Sequence, residues 1–300
     1  MNLKKSLIAV VGPTSSGKSE FAVKLAKKIH GEIISADSRQ IYKGMNIGSG
    51  KVSGKWLLRE GHKVFVYKNI PHHLIDEASP LRQYSVAQFQ RKAKKIIDDI
   101  YARGKMPIIC GGTAHWVDAV VFGKVLPEVK PNIKLRAKLS SLTTTEMYKL
   151  LQQLDPKRAK EIDAKNPRRL MRALEIVMST GKPVPKLKQS SNYTVEWIGL
   201  NPGKEKLERN IQKRLRSRLK QGMVAEVKKL RASGLSWKKL DSFGLEYKYC
   251  ALFLQGKLSR QEMEEQLFSA IKKYTKRQMT WWKRNNNIEW LTDYQKSVRL

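Results

Sequence analysis

The sequence predicts an α/β fold in which a parallel sheet carries an inserted helical subdomain, and three observations support this prediction. First, the apolar run Leu7–Val11 leads into a glycine-rich loop, Gly12–Ser19, and apolar residues at helical spacing follow the loop. Second, further apolar strands alternate with amphipathic helices, which is typical of a parallel sheet. Third, residues 116–195 contain helical patterns without intervening strands.

The loop after the first strand matches the phosphate-binding pattern G-x-x-x-x-G-K-[ST] at every constrained position. Its backbone N–H groups and the N-terminus of the next helix form a nest for an anion. Lys18 supplies a positive charge to a terminal phosphate, and the Ser19 hydroxyl is a ligand for Mg²⁺. This predicts a P-loop NTPase-like core, without fixing which phosphate compound binds. The predicted phosphate-binding residues are Gly12, Pro13, Thr14, Ser15, Ser16, Gly17, Lys18 and Ser19.

Two further strands deliver polar segments to the same edge of the sheet. The strand Glu32–Ala36 runs directly into a polar, turn-rich segment that begins at Asp37. A capping box at Ser85 and Gln88 starts an amphipathic helix, after which the strand Met106–Cys110 leads into Gly-Gly-Thr. Because the carboxyl ends of parallel strands meet at one edge, we expect a functional site there.

The second half of the chain predicts the domain organisation. Pro131, Pro156 and Pro167 each stand where a helix can begin. A strand at Trp197–Leu200 then returns to the core, and Ile288–Leu291 predicts a last short strand. We therefore expect a catalytic core made of residues 1–115 and 196–300, with a helical insert at 116–195.

Charge and cysteine content narrow the class of protein. The chain has 60 Lys and Arg against 26 Asp and Glu, a net charge of +34, which favours a polyanionic partner such as nucleic acid. No apolar run approaches the ~20 residues of a membrane span, and no signal-peptide pattern is present. Only Cys110 and Cys250 occur, too few for a disulfide framework. We expect a cytoplasmic monomer without a membrane partner.

Seven segments together resemble the tRNA dimethylallyltransferase family. In chain order they are GPTSSGKS, ISADSRQIYKGMNIGSGK, PHHLID, YSVAQF, GGT, NPRRLMRALEI and YTKRQMTWW. The resemblance implies transfer of an isopentenyl group from dimethylallyl diphosphate to N6 of the adenosine just 3′ of the anticodon in tRNA. The loop would then hold a diphosphate leaving group without ATP hydrolysis. In agreement, Met106–Cys110 ends in Gly-Gly-Thr, not in the acidic residue of an ordinary P-loop ATPase.

The resemblance implies four catalytic residues: Lys18, Asp37, Thr113 and Arg214. Adenine N6 is a poor nucleophile, so a carboxylate that accepts its proton would raise its reactivity, and Asp37 is the predicted base. Thr113 matches the family threonine between adenine and diphosphate. Arg214 matches an arginine that contacts the diphosphate, with Arg209 and Arg218 as alternatives. Two departures from the family pattern are Ala114-His115-Trp116 after Thr113 and Arg216 in place of an acidic residue.

The same resemblance implies that the helical insert at 116–195 binds tRNA, through a basic surface for the anticodon stem-loop. Arg168, Arg169 and Arg172 are predicted to share one helical face. Lys134 or Arg136 is a further predicted contact, and Trp281 and Trp282 are candidates for stacking on unpaired bases. The target adenosine is expected to be flipped out of its stack. The complete predicted tRNA-binding set is Asp37, Ser38, Arg39, Gln40, Thr113, Lys134, Arg168, Arg169, Leu170, Met171, Arg172, Lys276 and Arg277.

Two other classes of function remain open from the sequence. A P-loop small-molecule kinase, or an adenylate isopentenyltransferase that modifies free nucleotide, would use the same loop and sheet. Neither explains a basic insert. A non-catalytic RNA-binding protein on a degenerate P-loop fold would explain the charge, but the intact Lys18, Ser19, Asp37 and Thr113 argue against it.

Overall fold

A computed structural model describes residues 4–59, 61–125, 127, 129–186 and 189–292. The chain divides into two compact units, Met1–Gly123 with Ser191–Leu300, and Lys124–Ser190. The predicted α/β class with an inserted helical unit is confirmed. The boundaries of the insert differ from the prediction, because residues 116–123 and 191–195 belong to the first unit.

The first unit is built on a mostly parallel sheet, with eight strands in the described residues. They are β1 (Lys5–Val11), β2 (Gly31–Ser35), β3 (Lys55–Arg59), β4 (His62–Tyr67), β5 (Ile70–His73), β6 (Met106–Cys110), β7 (Tyr193–Leu200) and β8 (Ile288–Leu291). The spatial order is β3-β4-β5-β2-β6-β1-β7-β8. β4 is antiparallel to both of its neighbours, and all other pairs are parallel.

The helices of the first unit cover both faces of this sheet. They are α1 (Lys18–Lys28), α2 (Val86–Ala102), α3 (Ala114–Val121), α8 (Lys204–Lys220), α9 (Met223–Ala232), α10 (Trp237–Ser242), α11 (Leu245–Leu254) and α12 (Arg260–Trp282). Side chains alternate along β1: Ile8 and Val10 pack with α1, whereas Leu7, Ala9 and Val11 join the larger cluster on the other face. β1 therefore lies in the middle of a three-layer core.

The second unit contains α4 (Ile133–Ser140), α5 (Thr144–Leu154), α6 (Pro156–Glu161) and α7 (Pro167–Thr180). Pro156 and Pro167 occupy the first helical turn as expected, because a proline there loses no intrahelical hydrogen bond. The third proline differs, because Pro131 lies immediately before Asn132, the N-cap of α4, and therefore precedes the helix. A separate apolar cluster that includes Leu139, Leu151 and Leu170 holds the unit together.

Several elements were not predicted from the sequence. The β3–β5 meander is one of them, because its strands are short and carry charged residues among the apolar ones. β2 begins and ends one residue earlier than predicted, and β7 begins at Tyr193, not at Trp197. In the described part of the chain, no helix combines the length and apolar character that crossing a bilayer requires.

Candidate active site

Three loops meet at the carboxyl edge of the sheet because β2, β6 and β1 are parallel neighbours. The Ala36 N–H donates to the Cys110 carbonyl at 2.8 Å, and the Gly111 N–H donates to the Val10 carbonyl at 3.2 Å. Gly111 lies against the Ala36 backbone and leaves no room for a β-carbon. The segments that follow the three strands are therefore held side by side, as the sequence predicted.

The phosphate-binding loop has the backbone that an anion nest requires. Gly12 and Gly17 have positive φ angles of 138° and 90°, and Ser15 is left-handed with φ 63°. A β-carbon on Gly12 would lie 2.6 Å from the Leu200 carbonyl oxygen, so β7 confines the start of the loop. Gly17 is the N-cap of α1 and has no side chain to occupy the first-turn N–H groups. These groups are available to an anion.

Lys18 lies across this loop with its ammonium group donating to the Pro13 carbonyl. Burial, with a smaller contribution from the nearby Arg214 cation, lowers the pKa of Lys18 to about 8, while Cys110 and Asp37 act in the opposite direction. A buried cation without a full countercharge favours an incoming anion.

α8 places a second cation against the loop. Arg214 donates from Nη1 to the Thr14 hydroxyl at 3.1 Å, and Asn210, one turn earlier, donates to the Ser15 carbonyl at 3.3 Å. Burial lowers the pKa of Arg214 to about 10, with a further contribution from Arg218. Of the three arginines that the sequence left as alternatives, Arg209 is exposed and Arg218 pairs with Glu246. Only Arg214 contacts the loop among them.

Thr113 contacts Ser38, the residue that follows Asp37, from the adjacent loop. The Ser38 N–H donates to the Thr113 hydroxyl at 3.2 Å, and the hydroxyl oxygens of Ser38 and Thr113 lie 3.4 Å apart. Thr113 is the N-cap residue of α3 but makes no capping bond with its side chain. Asp37 is half-buried, and one carboxylate oxygen accepts the Arg39 N–H at 2.8 Å. A carboxylate, a hydroxyl and two cations therefore converge on one edge of the sheet.

Two predicted tRNA contacts, Arg39 and Gln40, have partners inside the protein. Gln40 accepts from the Ser35 hydroxyl at 3.1 Å and donates to the Gly50 carbonyl at 3.4 Å. Arg39 donates to the Ser242 carbonyl at 3.3 Å. Both side chains fix the loop that carries Asp37, and their contact with tRNA stays a prediction.

Gln278 of α12 ties the phosphate-binding loop to the Gly-Gly-Thr loop. Its carbonyl oxygen accepts the Thr14 N–H at 2.9 Å, and its amide nitrogen donates to the Gly112 carbonyl at 2.8 Å. The residue is buried. Its role was not predicted from the sequence, although it lies inside the segment YTKRQMTWW that carried the family resemblance.

Glu226 of α9 fixes the loop 46–51, and it too was missed. Its carboxylate accepts the backbone N–H groups of Asn46, Ile47 and Gly48 at 2.8, 2.7 and 3.0 Å. The Tyr247 hydroxyl donates to the same carboxylate at 2.9 Å. No local sequence signal marks this role, because the partners are about 180 residues away.

The predicted tRNA contacts of the helical unit differ in exposure and in their partners. Arg168 and Arg169 are exposed, as is Lys134. Arg172 is instead held by partners inside the unit: it pairs with the buried Glu175 and donates to the Val129 carbonyl. Arg136 pairs with the same carboxylate.

Two corrections to the predicted basic face follow. Leu170 is fully buried in the core of the helical unit, so it is not a surface contact. Met171 is half-buried against the same core. The sequence pattern around residues 168–172 therefore combines surface cations with core residues.

α12 carries the remaining predicted contacts. Lys276 and Arg277 are exposed, and Arg277 lies over the Tyr274 ring. Trp282 is buried in the core, which removes it as a stacking platform. Trp281 is half-buried and donates from its indole nitrogen to Asp118 at 3.1 Å.

Comparisons with known proteins agree on one family. A family model described as IPP transferase matches residues 40–285. The tRNA dimethylallyltransferase 2 of Trichlorobacter lovleyi is 38% identical over 292 residues, which cover 95% of this chain and 92% of the relative. The protein of the same name from Treponema denticola is 40% identical over 286 residues, or 94% of this chain and 92% of the relative.

Solved structures are similar over nearly the whole chain. The tRNA isopentenylpyrophosphate transferase of Bacillus halodurans has a TM-score of 0.69 at 34% identity, and the match covers 96% of this chain and 90% of that one. A eukaryotic dimethylallyltransferase acting on tRNA has a TM-score of 0.77 at 26% identity, with coverage of 97% and 75%.

Proposed function

The chain belongs to the IPP transferase family, and we infer from this that it is a prenyltransferase that transfers a dimethylallyl group to tRNA. We propose that the donor is dimethylallyl diphosphate and that the acceptor is N6 of the adenosine 3′-adjacent to the anticodon. One observation carries the proposal: a phosphate-binding loop and the Asp37–Thr113 pair lie at the same edge of one sheet.

The phosphate-binding loop would hold the leaving group. The diphosphate would accept hydrogen bonds from the N–H groups of the loop and of the first turn of α1, with Lys18 and Arg214 as its cationic partners. Negative charge builds on the diphosphate as the bond from prenyl C1 to oxygen breaks. Preorganised donors and cations stabilise that charge, so the loop would lower the barrier to departure.

Asp37 would act as the general base. The N6 lone pair attacks prenyl C1, the electrons of the C1–O bond leave with the diphosphate, and the proton from N6 passes to the Asp37 carboxylate. Thr113 is held 3.2 Å from the Ser38 backbone, beside Asp37, where its hydroxyl could contact the reacting amine or a phosphate oxygen.

A divalent metal fits the donor set of this edge. Mg²⁺ keeps several waters and takes few protein ligands beside substrate phosphates, so the Ser19 hydroxyl at the start of α1 is sufficient as a protein ligand. The described residues contain no group of three or more His, Cys, Asp or Glu that could hold a metal ion. Bound Mg²⁺ would neutralise charge on the diphosphate.

We propose that Arg168, Arg169 and Lys134 of the helical unit, with Lys276 and Arg277 of α12, contact the phosphate backbone of the anticodon stem-loop. All five side chains are exposed, and the chain has a net charge of +34. We further propose a monomer in the cytoplasm; both cysteines are buried and free of a disulfide, as is typical of a reducing compartment.

A small-molecule kinase is not favoured. β6 ends at Cys110 and is followed by Gly111, where an ordinary P-loop ATPase has an acidic residue for its metal. Burial raises the pKa of Cys110 to about 12, so the thiol is neutral and does not replace that acid. An adenylate isopentenyltransferase would not require the exposed arginines of the helical unit.

Transfer of a labelled prenyl group tests the proposal. The full chain with Mg²⁺ and dimethylallyl diphosphate, labelled in the prenyl group, is offered unmodified tRNA or adenosine monophosphate. Label is expected in tRNA only. Label in the mononucleotide would instead assign an adenylate isopentenyltransferase, and stronger thermal stabilisation by ATP than by dimethylallyl diphosphate would favour a kinase.

A further inference from the structure

Two arginines of α8, Arg214 and Arg218, meet beside Gly50. They are one helical turn apart, and both turn towards the loop 46–51. A β-carbon built on Gly50 would overlap the Nη2 atoms of both guanidinium groups. The two nitrogens therefore lie next to each other in the space that only a glycine leaves open.

One side of the Arg218 guanidinium is fixed by the protein. Its Nη1 donates to the Glu246 carboxylate at 2.9 Å and to the Gly48 carbonyl at 3.2 Å. Its Nη2 is buried and lacks a hydrogen-bond partner among the described residues. Arg218 as a whole is only 7% exposed, so water does not replace that partner freely.

The two terminal nitrogens of the Arg214 guanidinium also face different neighbours. Its Nη1 donates to the Thr14 hydroxyl of the phosphate-binding loop, while its Nη2 points to Arg218. Glu246 pairs with Arg218, and no ion pair of Arg214 occurs in the part of the chain that the structure describes. Two neighbouring buried cations with one carboxylate repel each other, and a second anion between them would remove that repulsion.

We propose that Arg218 is a second anion-binding arginine of the site, whose Nη2 binds the same diphosphate as Arg214. This rests on the proposed function, which makes a diphosphate the ligand of the loop. Arg214 contacts Thr14, and Arg218 extends the cationic surface by one turn of α8, or about 5 Å. The two guanidinium groups share a terminal phosphoryl group of the diphosphate, and both stabilise its charge as it leaves.

Binding of inorganic diphosphate, measured by calorimetry with Mg²⁺, tests this role in the full chain. Arg218→Gln is expected to weaken diphosphate binding by about tenfold to a hundredfold, the usual loss for a hydrogen bond to a charged group. The matched control is Arg216→Gln, which removes the same charge from the same helix but from an exposed position. It is expected to change diphosphate affinity by less than about twofold. Loss of tRNA affinity in Arg218→Gln should not exceed that of the control.

Arg218→Lys controls for a folding defect in Arg218→Gln, because it keeps the positive charge and the pairing with Glu246. One ammonium group cannot reproduce the planar fork, so diphosphate affinity is expected to fall in this variant too, with an unchanged melting temperature. Normal diphosphate affinity in the folded variants would overturn the proposal. A loss confined to tRNA would also overturn it, because Arg218 would then bind an RNA phosphate.

Failure of this inference is distinguishable from failure of the proposed function. Diphosphate binding is measured without transfer to tRNA. If the unaltered chain does not prenylate tRNA, yet Arg218→Gln loses diphosphate affinity, the anion site stands and the proposed function is wrong. If the unaltered chain prenylates tRNA and Arg218→Gln binds diphosphate normally, the proposed function stands and the role of Arg218 is wrong.

Discussion

At the scale of single residues, Asp37 is the group whose removal separates chemistry from binding. Asp37→Asn keeps the size and the acceptor for the Arg39 N–H while removing the charge that accepts the amine proton. The chemical step is expected to slow by roughly 10²–10⁴-fold, the scale of general-base catalysis. Single-turnover transfer with preformed enzyme–substrate complex measures this step apart from product release.

Substrate dissociation constants complete the Asp37 experiment. The dissociation constants of tRNA and of dimethylallyl diphosphate should both remain close to those of the unaltered chain, since the substitution removes no contact on which substrate binding depends. A near-normal single-turnover rate would mean that departure of the diphosphate alone drives transfer. A loss of tRNA affinity equal to the rate loss would make Asp37 a recognition residue.

Lys18 predicts a pH dependence of diphosphate binding. Burial first, and the Arg214 cation to a lesser extent, lower its pKa to about 8, so the free protein loses this proton as the pH rises above 8. The ligand requires the ammonium form, so affinity for dimethylallyl diphosphate should fall by up to about tenfold per pH unit above pH 8. Phosphate second ionisations lie near pH ~6 and do not contribute there.

Two observations check the origin of this pH dependence. Lys18→Ala should bind more weakly, with an affinity that is flat between about pH 7 and pH 9. In the unliganded chain, the unfolded state holds the Lys18 proton up to its ordinary pKa of ~10.4, so this residue adds stability as the pH rises from 8. An unaltered pH dependence in Lys18→Ala would place the titration elsewhere.

The sequence predicted the chemistry of individual residues better than their partners. Lys18 and Ser19 follow from a local pattern whose spacing is itself the signal. Choosing among Arg209, Arg214 and Arg218 was not possible from sequence, because it depends on which side of α8 faces the phosphate-binding loop. That orientation is set by distant packing.

At the scale of elements, α12 connects two loops of the site through Gln278. Gln278→Ala leaves the Thr14 N–H and the Gly112 carbonyl without their partner. We expect the KM for dimethylallyl diphosphate to rise by about tenfold, with a smaller change in kcat, because lost positioning of the loop weakens ground-state binding. Steady-state kinetics at saturating tRNA measures both.

A matched control lies on the same helix. Gln261→Ala removes an exposed amide that donates to Glu265 on the same helix, so it should leave the KM unchanged. If Gln278→Ala raised neither the KM nor the mobility of the loop in hydrogen exchange, Gln278 would have only a packing role.

Elements were predictable where a signal is local. The capping box at Ser85 and the prolines at 156 and 167 each begin a helix in the structure. The β3–β5 meander was not predictable, because its short strands acquire their pairing from β2 and from one another. The same holds for Glu226, whose carboxylate caps a loop distant in sequence.

At the scale of the whole molecule, charge predicts how binding responds to salt. Arg168→Ala with Arg169→Ala removes two exposed cations of the helical unit. Each lost phosphate contact should reduce the slope of log affinity for tRNA against log salt by about 0.7–0.9. Arg172 is left unaltered, because its pairing with the buried Glu175 would confuse a binding loss with instability.

Lys157→Ala with Lys160→Ala is the matched control, since these exposed cations also belong to the helical unit. The control should retain the slope of the unaltered chain. If the arginine pair also retained it, the tRNA surface would lie elsewhere, and the exposed basic face of α8 would be the next place to search.

Mapping the modified nucleoside tests the central claim most directly. The full chain is incubated with dimethylallyl diphosphate and either unmodified tRNA or the same tRNA with guanosine in place of the adenosine 3′-adjacent to the anticodon. Digestion and mass analysis then locate the prenyl group. The account predicts prenylated adenosine at that one position and no product from the substituted tRNA. Prenyl transfer to another adenosine, or equal product from both tRNAs, would contradict it.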